Sequence, residues 1–281
     1  MKFITSILSI FVFAAFIGCS AKSDIGDNKD IVIIGHGGSG FETFFSQLPA
    51  NTLASFDKAI MDDEADGIEM DIQLSKDDVV VIFHDKILDN KTDLKGLVRE
   101  QLVADLNKCD FHGDFSMFSK GKHSISSLEQ ILTHFNEFLH TKYFYFNIKL
   151  EVDPDREQYA QVISEQLVKI INEFDIKKTA IVETSDIRVL NQIQLLDSSI
   201  IVMQDIGAFE SDFKYVLSNN FNGLVVANKN ITAEQVLLAK KAGKKVVIYG
   251  ERTRGGLKEV LDKDPDVIQT DKIDLTKRLA D

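Results

Sequence analysis

The sequence predicts a closed barrel of eight parallel β-strands with helices between them, a (β/α)8 or TIM barrel, with an extra hairpin strand and an insertion after it. Short β-rich runs recur along the 281-residue chain, and helical patterns separate several of them. One pair of runs lies too close together for a helical crossover. The length and the composition, 44% hydrophobic and 27% charged, suit a full-sized core and exclude collagen, low-complexity disorder and a disulfide scaffold.

Nine runs carry the apolar and β-branched residues that are typical of strands. They are 31–36, 67–72, 79–84, 143–149, 179–183, 199–204, 223–227, 245–250 and 267–271. Residues 73–78, between the second and third runs, are too few for a parallel crossover, which needs about a dozen or more. We therefore expect the third run to return antiparallel as a hairpin that turns at 75–78. Eight strands then remain for the barrel, with an insertion at about 86–142.

Helical patterns follow several of these runs. They cover 51–60, 155–174, 232–243 and 254–263, where apolar residues recur at helical spacing. A strand followed by a helix and then by another strand is the repeating unit of a parallel sheet, so these segments are the predicted crossover helices.

The first twenty residues have the pattern of an export signal with a site for lipid attachment. A lysine at position 2 precedes an apolar run over 3–17, and about 15 residues are too few to span a bilayer comfortably. Residues 16–19 resemble a bacterial lipobox. We therefore expect 1–18 to be a signal peptide, Cys19 to be the lipidated amino terminus, 19–30 to be a polar tether and 31–281 to be the barrel. An ordinary signal with an incidental cysteine is the alternative.

This leader predicts a protein of the bacterial cell envelope. More than one acyl chain gives stable anchoring, so the domain is expected to be held at a membrane, either the outer membrane or a periplasmic or extracellular face. The net charge of −12, from 44 acidic and 32 basic residues with no basic block, argues against a nucleic-acid partner. An anionic ligand must then be attracted by a local positive site, such as a bound metal. Cys19 and Cys109 are too few for a zinc cluster and differ too much in context to predict a disulfide.

Polar residues stand near the C-terminal ends of several predicted strands, the end of a barrel where active sites form. His36 ends the first strand, Glu69 and Asp71 share a face of the second, and Asn147 and Lys149 share a face of the fourth. Alternating acids are common on solvated strand faces, but a strand inside a barrel has no solvated face. Because buried carboxylates are costly without a cation or a donor, these residues predict a functional site.

The predicted hairpin brings a second histidine to this site. A turn centred between residues 76 and 77 places His84 opposite Glu69 and on the same face, unless a bulge changes the register. The glycines at 35, 37, 38 and 40 flank His36. Backbone N–H groups in such a segment, that of Gly37 among them, could bind an oxyanion, and a plain tight turn is the alternative.

Four segments resemble those of a known family. They are GHGG at 35–38, PANT at 49–52, GIEMDIQLSKDDVVVIFHD at 67–85 and VIQTD at 267–271. The most specific element is Glu-x-Asp followed, thirteen residues after the aspartate, by His-Asp. Over nearly the whole mature chain the sequence resembles the glycerophosphodiester phosphodiesterases. The resemblance implies a (β/α)8 barrel with an insertion after the hairpin, a divalent cation on Glu69 and Asp71, and His36 and His84 as general acid and base.

Several positions depart from the family pattern. Where the family usually has His-Arg-Gly, this chain has His36-Gly37-Gly38, so the arginine that would bind the phosphate is missing. Where the family usually has Pro-Glu-Asn-Thr, Ala50 replaces the glutamate. The usual Glu-x-Lys is Asn147-Ile148-Lys149, which keeps the lysine and replaces the third acidic ligand with a neutral oxygen donor. Glu151 is an alternative third ligand. The usual Trp-Thr segment is IYGE at 248–251.

The resemblance and the residues together predict metal-assisted hydrolysis of a small-molecule glycerophosphodiester to sn-glycerol 3-phosphate and an alcohol such as choline or ethanolamine. The oxygen ligands Glu69, Asp71 and Asn147 favour Ca²⁺ or Mg²⁺. Lys149 and the backbone of Gly37 are the expected contacts of the phosphate.

Two alternatives stay open. The same chemistry could act on a phospholipid, a lysophospholipid or a polymer such as teichoic acid, with the aromatic residues of 40–45 at an apolar entrance. A non-catalytic surface lipoprotein could use the same barrel for binding, although the presence of both histidines argues against it.

We predict that Cys19→Ala releases the protein from the membrane fraction, because the lipid chains on Cys19 are its expected anchor. The measurement is an immunoblot of fractionated cells. The matched control is alanine at the other cysteine, Cys109→Ala, which should stay with the membrane. Membrane retention of Cys19→Ala would contradict the lipid anchor.

Overall fold

The structure is a computed structural model that describes residues 31–41, 48–112, 121–149 and 156–281. The expected signal peptide, Cys19, the tether and Glu151 lie outside the described residues. Within the described ranges, no helix is both long enough and apolar enough to cross a bilayer.

Eight parallel strands close into a barrel, and one further strand lies outside the ring. The strands are β1 (Val32–Gly35), β2 (Gly67–Leu74), β3 (Val80–Ile82), β4 (Tyr143–Ile148), β5 (Ala180–Thr184), β6 (Ile201–Ile206), β7 (Gly223–Ala227), β8 (Lys245–Tyr249) and β9 (Val267–Thr270). Their order is β1-β9-β8-β7-β6-β5-β4-β2-β3, and the pairing of β1 with β2 closes the ring. Since β3 pairs antiparallel with β2, the predicted barrel with an extra hairpin strand is confirmed.

Helices follow the barrel strands and pack on their outer faces, apart from one short helix that lies in the inserted segment. They are α1 (Leu53–Asp57, continued by a π-helical turn at Lys58–Asp62), α2 (Val103–Leu106), α3 (Leu128–His134), α4 (Arg156–Glu173), α5 (Ile187–Leu196), α6 (Phe209–Ser218), α7 (Ala233–Lys241), α8 (Arg254–Asp262) and α9 (Ile273–Ala280). The hydroxyls of Thr52, Thr232 and Thr253 cap α1, α7 and α8 by accepting an N–H three residues later.

Strand alternation divides the apolar residues between two layers. The outer faces of the strands pack against the helices in one large core. The inner faces form a smaller apolar cluster: Ile34, Tyr145, Ile181, Ile201, Met203, Val225, Val247 and Val267. Residues two positions further along these strands, such as His36, Asn147 and Glu183, are polar and reach the C-terminal end of the barrel. The barrel interior is therefore apolar in the layer formed by this cluster and polar at the C-terminal ends of the strands.

The hairpin register differs from the predicted one by one residue. Leu74 pairs with Val80 and Ile72 with Ile82, where β3 ends, so the expected pairing of His84 with Glu69 is wrong. The reason is a turn with three central residues, in which Asp78 adopts the left-handed conformation with φ 60°. His84 instead follows β3 in a loop, which Gln73 Nε2 holds by donating to the carbonyls of Phe83 (2.7 Å) and Asp85 (2.8 Å).

The segment after the hairpin shares a small apolar core with β3. Its members are Val81, Phe83, Leu88, Val98, Leu106, Cys109, Phe111 and Ile125. Cys109 is buried there as a free thiol. This core packs the inserted segment beside β3, and α3 then returns the chain to β4.

Candidate active site

A cavity of about 390 Å³ opens at the C-terminal ends of the strands. Four residues singled out from the sequence line it: His36, His84, Asn147 and Lys149. The residues lining it that were not singled out include Glu183, Asp205, Val225, Tyr249, Arg252 and Gln269. Glu69 and Asp71 are buried in β2, and Asp71 lies directly beside Asn147 of β4 in the sheet register. The predicted residues are therefore gathered at one mouth.

His36 is held at the end of β1 by a carboxylate. Its Nδ1 donates to Asp271 Oδ1 at 2.9 Å, which leaves Nε2 as the ring nitrogen for a ligand. Burial alone would lower the pKa of His36, but the hydrogen bond to Asp271 and the charge of Glu69 outweigh it and raise the pKa above its ordinary value. The Asp271 carboxylate also accepts the Phe41 N–H at 2.9 Å and pairs with Arg252.

His84 is oriented in the same way from the other side of the cavity. Its Nδ1 contacts Asp85 Oδ1 at 2.6 Å, and Lys91 Nζ contacts Asp85 Oδ2 at 3.1 Å. The hydrogen bond from His84 lowers the pKa of Asp85 to about 2, with Lys91 contributing against the opposing effect of burial. The ring of Phe41 packs against both histidines, with its centroid 4.5 Å from that of His36 and 5.3 Å from that of His84.

Asp71 is fixed by an amide and a lysine. Asn51 Nδ2 donates to Asp71 Oδ2 at 2.7 Å, and the Asp71 N–H donates to Asn51 Oδ1 at 3.0 Å. Lys149 Nζ contacts Asp71 Oδ1 at 2.9 Å. Burial would raise the pKa of Asp71, yet the lysine charge, with that of His84, holds it below its usual value. This double hydrogen bond explains the asparagine of the PANT segment.

Glu69 is fully buried, and only one of its two carboxylate oxygens has a hydrogen-bond partner. The Gly37 N–H donates to Glu69 Oε2 at 2.8 Å, whereas Oε1 has no hydrogen-bond partner. Burial, with the charge of Asp71, raises the pKa of Glu69 to about 8. The Gly37 N–H that was expected to bind a phosphate oxygen is thus engaged with Glu69.

Two departures from the family pattern meet in space. A Cβ atom built on Gly37, where φ is +58°, would lie 3.0 Å from the Cβ of Ala50 and 2.9 Å from the ring of Phe41. Positions 37 and 50 are therefore neighbours. The arginine and the glutamate of the family pattern, both missing here, belong to adjacent positions in space. The Phe41 ring occupies the space beside them.

Glu183 and Asp205 add carboxylates that the sequence analysis did not single out. Glu183 lies beside Asn147 in the register of β4 and β5 and is fully buried. Gln269 Nε2 donates to its Oε2 at 2.8 Å, and Oε1 has no partner. Burial and the charge of Asp205 raise the pKa of Glu183 to about 8, and burial raises that of Asp205 to about 6 although Lys149 opposes it.

The mouth therefore holds more buried acid than its bases balance, which favours binding of a cation. Across the described ranges, no group of three or more His, Cys, Asp or Glu side chains is gathered closely enough to hold a metal ion. The donors beside each other in the sheet are two carboxylates, Glu69 and Asp71, and the amide of Asn147. Oxygen donors of this kind suit a hard divalent cation.

Sequence comparison matches this chain to one family. The model of the glycerophosphoryl diester phosphodiesterase family matches residues 43–275. A glycerophosphodiester phosphodiesterase of Caldanaerobacter subterraneus subsp. tengcongensis is 31% identical over 156 residues, 56% of this chain and 58% of the relative. One of Bacillus altitudinis is 31% identical over 141 residues, 50% of this chain and 54% of the relative. The chain thus spans little more than half the length of these curated relatives.

Solved structures share the fold. A phosphodiesterase of Oleispira antarctica, in complex with the product sn-glycerol-3-phosphate, superposes with a TM-score of 0.77 at 20% identity over 90% of this chain and 98% of that one. A protein of Silicibacter pomeroyi, described as a glycerophosphoryl diester phosphodiesterase, gives a TM-score of 0.78 at 16% identity, over 90% and 94%.

We predict that Asn51→Gly lowers the free energy of unfolding by about 2 to 3 kcal/mol, because it removes both hydrogen bonds between Asn51 and Asp71, one to the buried carboxylate and one from the backbone N–H. Asn51→Ala should cost about 1 kcal/mol more, since a Cβ is strained at the Asn51 φ of 61°. Urea unfolding followed by circular dichroism measures both.

The matched control is Asn220, an exposed residue with φ 53°. The free energy of unfolding of Asn220→Gly should be close to that of wild type. That of Asn220→Ala should fall only by the cost of placing a Cβ in the left-handed conformation. Wild-type stability of Asn51→Gly would show that the bonds to Asp71 contribute nothing.

Proposed function

Because the chain belongs to the glycerophosphoryl diester phosphodiesterase family, we propose that it is a phosphoric diester hydrolase that converts a glycerophosphodiester to sn-glycerol 3-phosphate and an alcohol. The observation that carries the proposal is the pair of histidines. His36 and His84 line one cavity, and each is oriented through Nδ1 by its own carboxylate. A diester cleavage needs one group to accept a proton and another to donate one, and this pair supplies both.

His36 suits the proton donor. The carboxylate of Asp271 stabilises its imidazolium, and the raised pKa keeps the ring protonated to a higher pH than usual. We assign to it the protonation of the leaving alcohol oxygen. His84 is then the base that accepts the proton of the attacking hydroxyl or water, and Asp85 stabilises the charge that it acquires.

Glu69, Asp71 and Asn147 are the residues we propose to hold a divalent cation, Ca²⁺ or Mg²⁺. The fit is supported by the unpartnered, fully buried Oε1 of Glu69 and by the all-oxygen donor set. When bound, the cation would neutralise charge on the phosphate oxygens. Lys149 keeps Asp71 ionised, Asn51 orients it, and the Gly37 N–H positions Glu69.

Lys149 has a second proposed role. It lines the cavity between the acids and the histidines, and the charges of Asp71 and Glu69 raise its pKa although burial opposes them, so it remains a cation. A lysine there can bind a phosphate oxygen as a point charge.

A small, polar substrate fits the cavity better than a phospholipid. Its described lining is mostly charged or amide side chains, with Phe41, Val225 and Tyr249 as the less polar part. We therefore keep the phospholipid, lysophospholipid and polymer substrates as the weaker alternative. The lipid anchor at Cys19 and a location in the cell envelope are likewise proposals that rest on the leader sequence.

We predict that His36→Gln and His84→Gln each lower kcat at least about a hundredfold on glycerophosphocholine or glycerophosphoethanolamine, because a positioned acid or base contributes about 10² to 10⁴-fold. Release of glycerol 3-phosphate is the measurement, in the presence of Mg²⁺ or Ca²⁺.

The matched control is His134→Gln. His134 also contacts a carboxylate, with Nε2 2.7 Å from Asp57 Oδ1, but it lies on α3 away from the cavity lining. It should keep wild-type turnover. Folded His84→Gln protein with wild-type activity would refute the assignment, and a wild-type chain inactive on every diester tested would refute the function.

We predict that Asn147→Glu tightens Mg²⁺ or Ca²⁺ binding by about tenfold or more, since ligand charge is a main determinant of affinity for hard cations. Calorimetric titration of the metal into the protein without substrate measures this without any turnover.

Asn172→Glu is the control, because it adds the same charge at an exposed position of α4. Its affinity should match that of wild type. Unchanged affinity of Asn147→Glu would remove Asn147 from the ligand set and favour a donor outside it, Glu183 or Glu151.

A further inference from the structure

We propose that Arg252 binds the phosphate in this active site. Asp271 holds one edge of its guanidinium, and the other edge faces the substrate. The proposal rests on the proposed function for the identity of the substrate, a phosphodiester, but the anion site itself depends on geometry alone.

Arg252 lies in the short loop between β8 and α8. Gly250, with φ +96°, turns the chain away from β8, and Thr253 caps the first turn of α8 by accepting the Gly256 N–H at 3.0 Å. The loop is therefore fixed on both sides of Arg252. Its side chain, 45% exposed, lines the same cavity as both histidines and Lys149.

One edge of the guanidinium is already held. Arg252 Nε donates to Asp271 Oδ2, in a carboxylate whose side chain is only 4% exposed. An arginine has five N–H donors in a planar fork, and this bond uses one of them. The four donors on the two terminal nitrogens have no hydrogen bond to any described part of the chain. Such a fork matches the oxygens of a phosphate group in a bidentate fashion.

The other two Lys or Arg side chains among the described residues that line the cavity are lysines, which can meet a phosphate as a point charge but not with a planar fork of donors. Lys149 contacts Asp71 and Lys91 contacts Asp85. Position 37 offers no cation, because it is glycine and its N–H donates to Glu69. Phe41 fills the space that a side chain at position 37 would need. A planar guanidinium for the phosphate is therefore absent from position 37, and the β8–α8 loop provides one in Arg252.

The shared carboxylate also sets the geometry between the two groups. Asp271 holds His36 through Oδ1 and Arg252 through Oδ2. A phosphate bound by the free edge of Arg252 would consequently lie beside His36, where the leaving oxygen needs its proton. Arg252 is thus a binding residue whose position is tied to that of the proposed acid.

The test is calorimetric titration of sn-glycerol 3-phosphate and of inorganic phosphate into the full chain, solubilised in detergent, with Mg²⁺ present. We compare wild type, Arg252→Gln, Arg252→Lys and Arg254→Gln, the last being an exposed arginine two residues away at the start of α8. Both Arg252 variants should weaken binding by about 10- to 100-fold, as expected for loss of hydrogen bonds to a charged group. Arg254→Gln should bind like wild type.

The Arg252→Lys variant distinguishes the contribution of the planar, forked donors of arginine from that of its positive charge. A lysine keeps a cation beside Asp271, which keeps the protein folded, but its single nitrogen cannot hold Asp271 and also present two parallel donors. Wild-type affinity in Arg252→Gln, with an unchanged Tm, would overturn the proposal and leave Arg252 as a counter-charge to Asp271. Wild-type affinity in Arg252→Lys would overturn the bidentate contact.

Turnover distinguishes this proposal from the proposed function. If wild-type protein hydrolyses glycerophosphocholine while phosphate binding is independent of Arg252, the function stands and the Arg252 site fails. If phosphate binding depends on Arg252 while no diester is hydrolysed, the anion site stands and the function fails.

Discussion

Burying carboxylates inside an apolar barrel costs free energy unless each one gains a donor or a cation, and this constraint shapes the mouth of the molecule. Glu69, Asp71 and Glu183 are almost completely inaccessible to solvent. Each has acquired partners from a different part of the chain: a glycine N–H after β1, an asparagine and a lysine, and a glutamine of β9. These contacts tie the loops to the barrel, so the geometry of the mouth and the stability of the fold depend on the same bonds.

The departures from the family pattern are easier to understand together than singly. Gly37 and Ala50 face each other, so the loss of a cation at one position is matched by the loss of an acid at the other. Asn147 replaces an acid on β4, while Glu183 stands beside it on β5. The acid that β4 lacks is thus supplied by the neighbouring strand β5. This is possible because neighbouring barrel strands bring equivalent positions to the same layer of the barrel interior.

The barrel could be predicted from the sequence because strand patterns and the short 73–78 connection are local signals. The hairpin register could not, since it depended on Asp78 adopting a left-handed backbone. His84 nevertheless reaches the cavity, through a loop held by Gln73. Glu183, Asp205 and Arg252 were missed for another reason. An acid or an arginine after a strand resembles any solvated strand end, and only closure of the ring brings such residues together. Acidic residues ending the buried runs 179–184 and 201–206 were the available signal.

Phe41 packs against both histidines. The centroid of its ring lies 4.5 Å from that of His36 and 5.3 Å from that of His84. The proposed acid and the proposed base therefore share one packing partner, although they come from different parts of the chain. A shift of this ring would displace both imidazoles together, so a substitution at Phe41 is expected to disturb the donation and the acceptance of a proton in parallel.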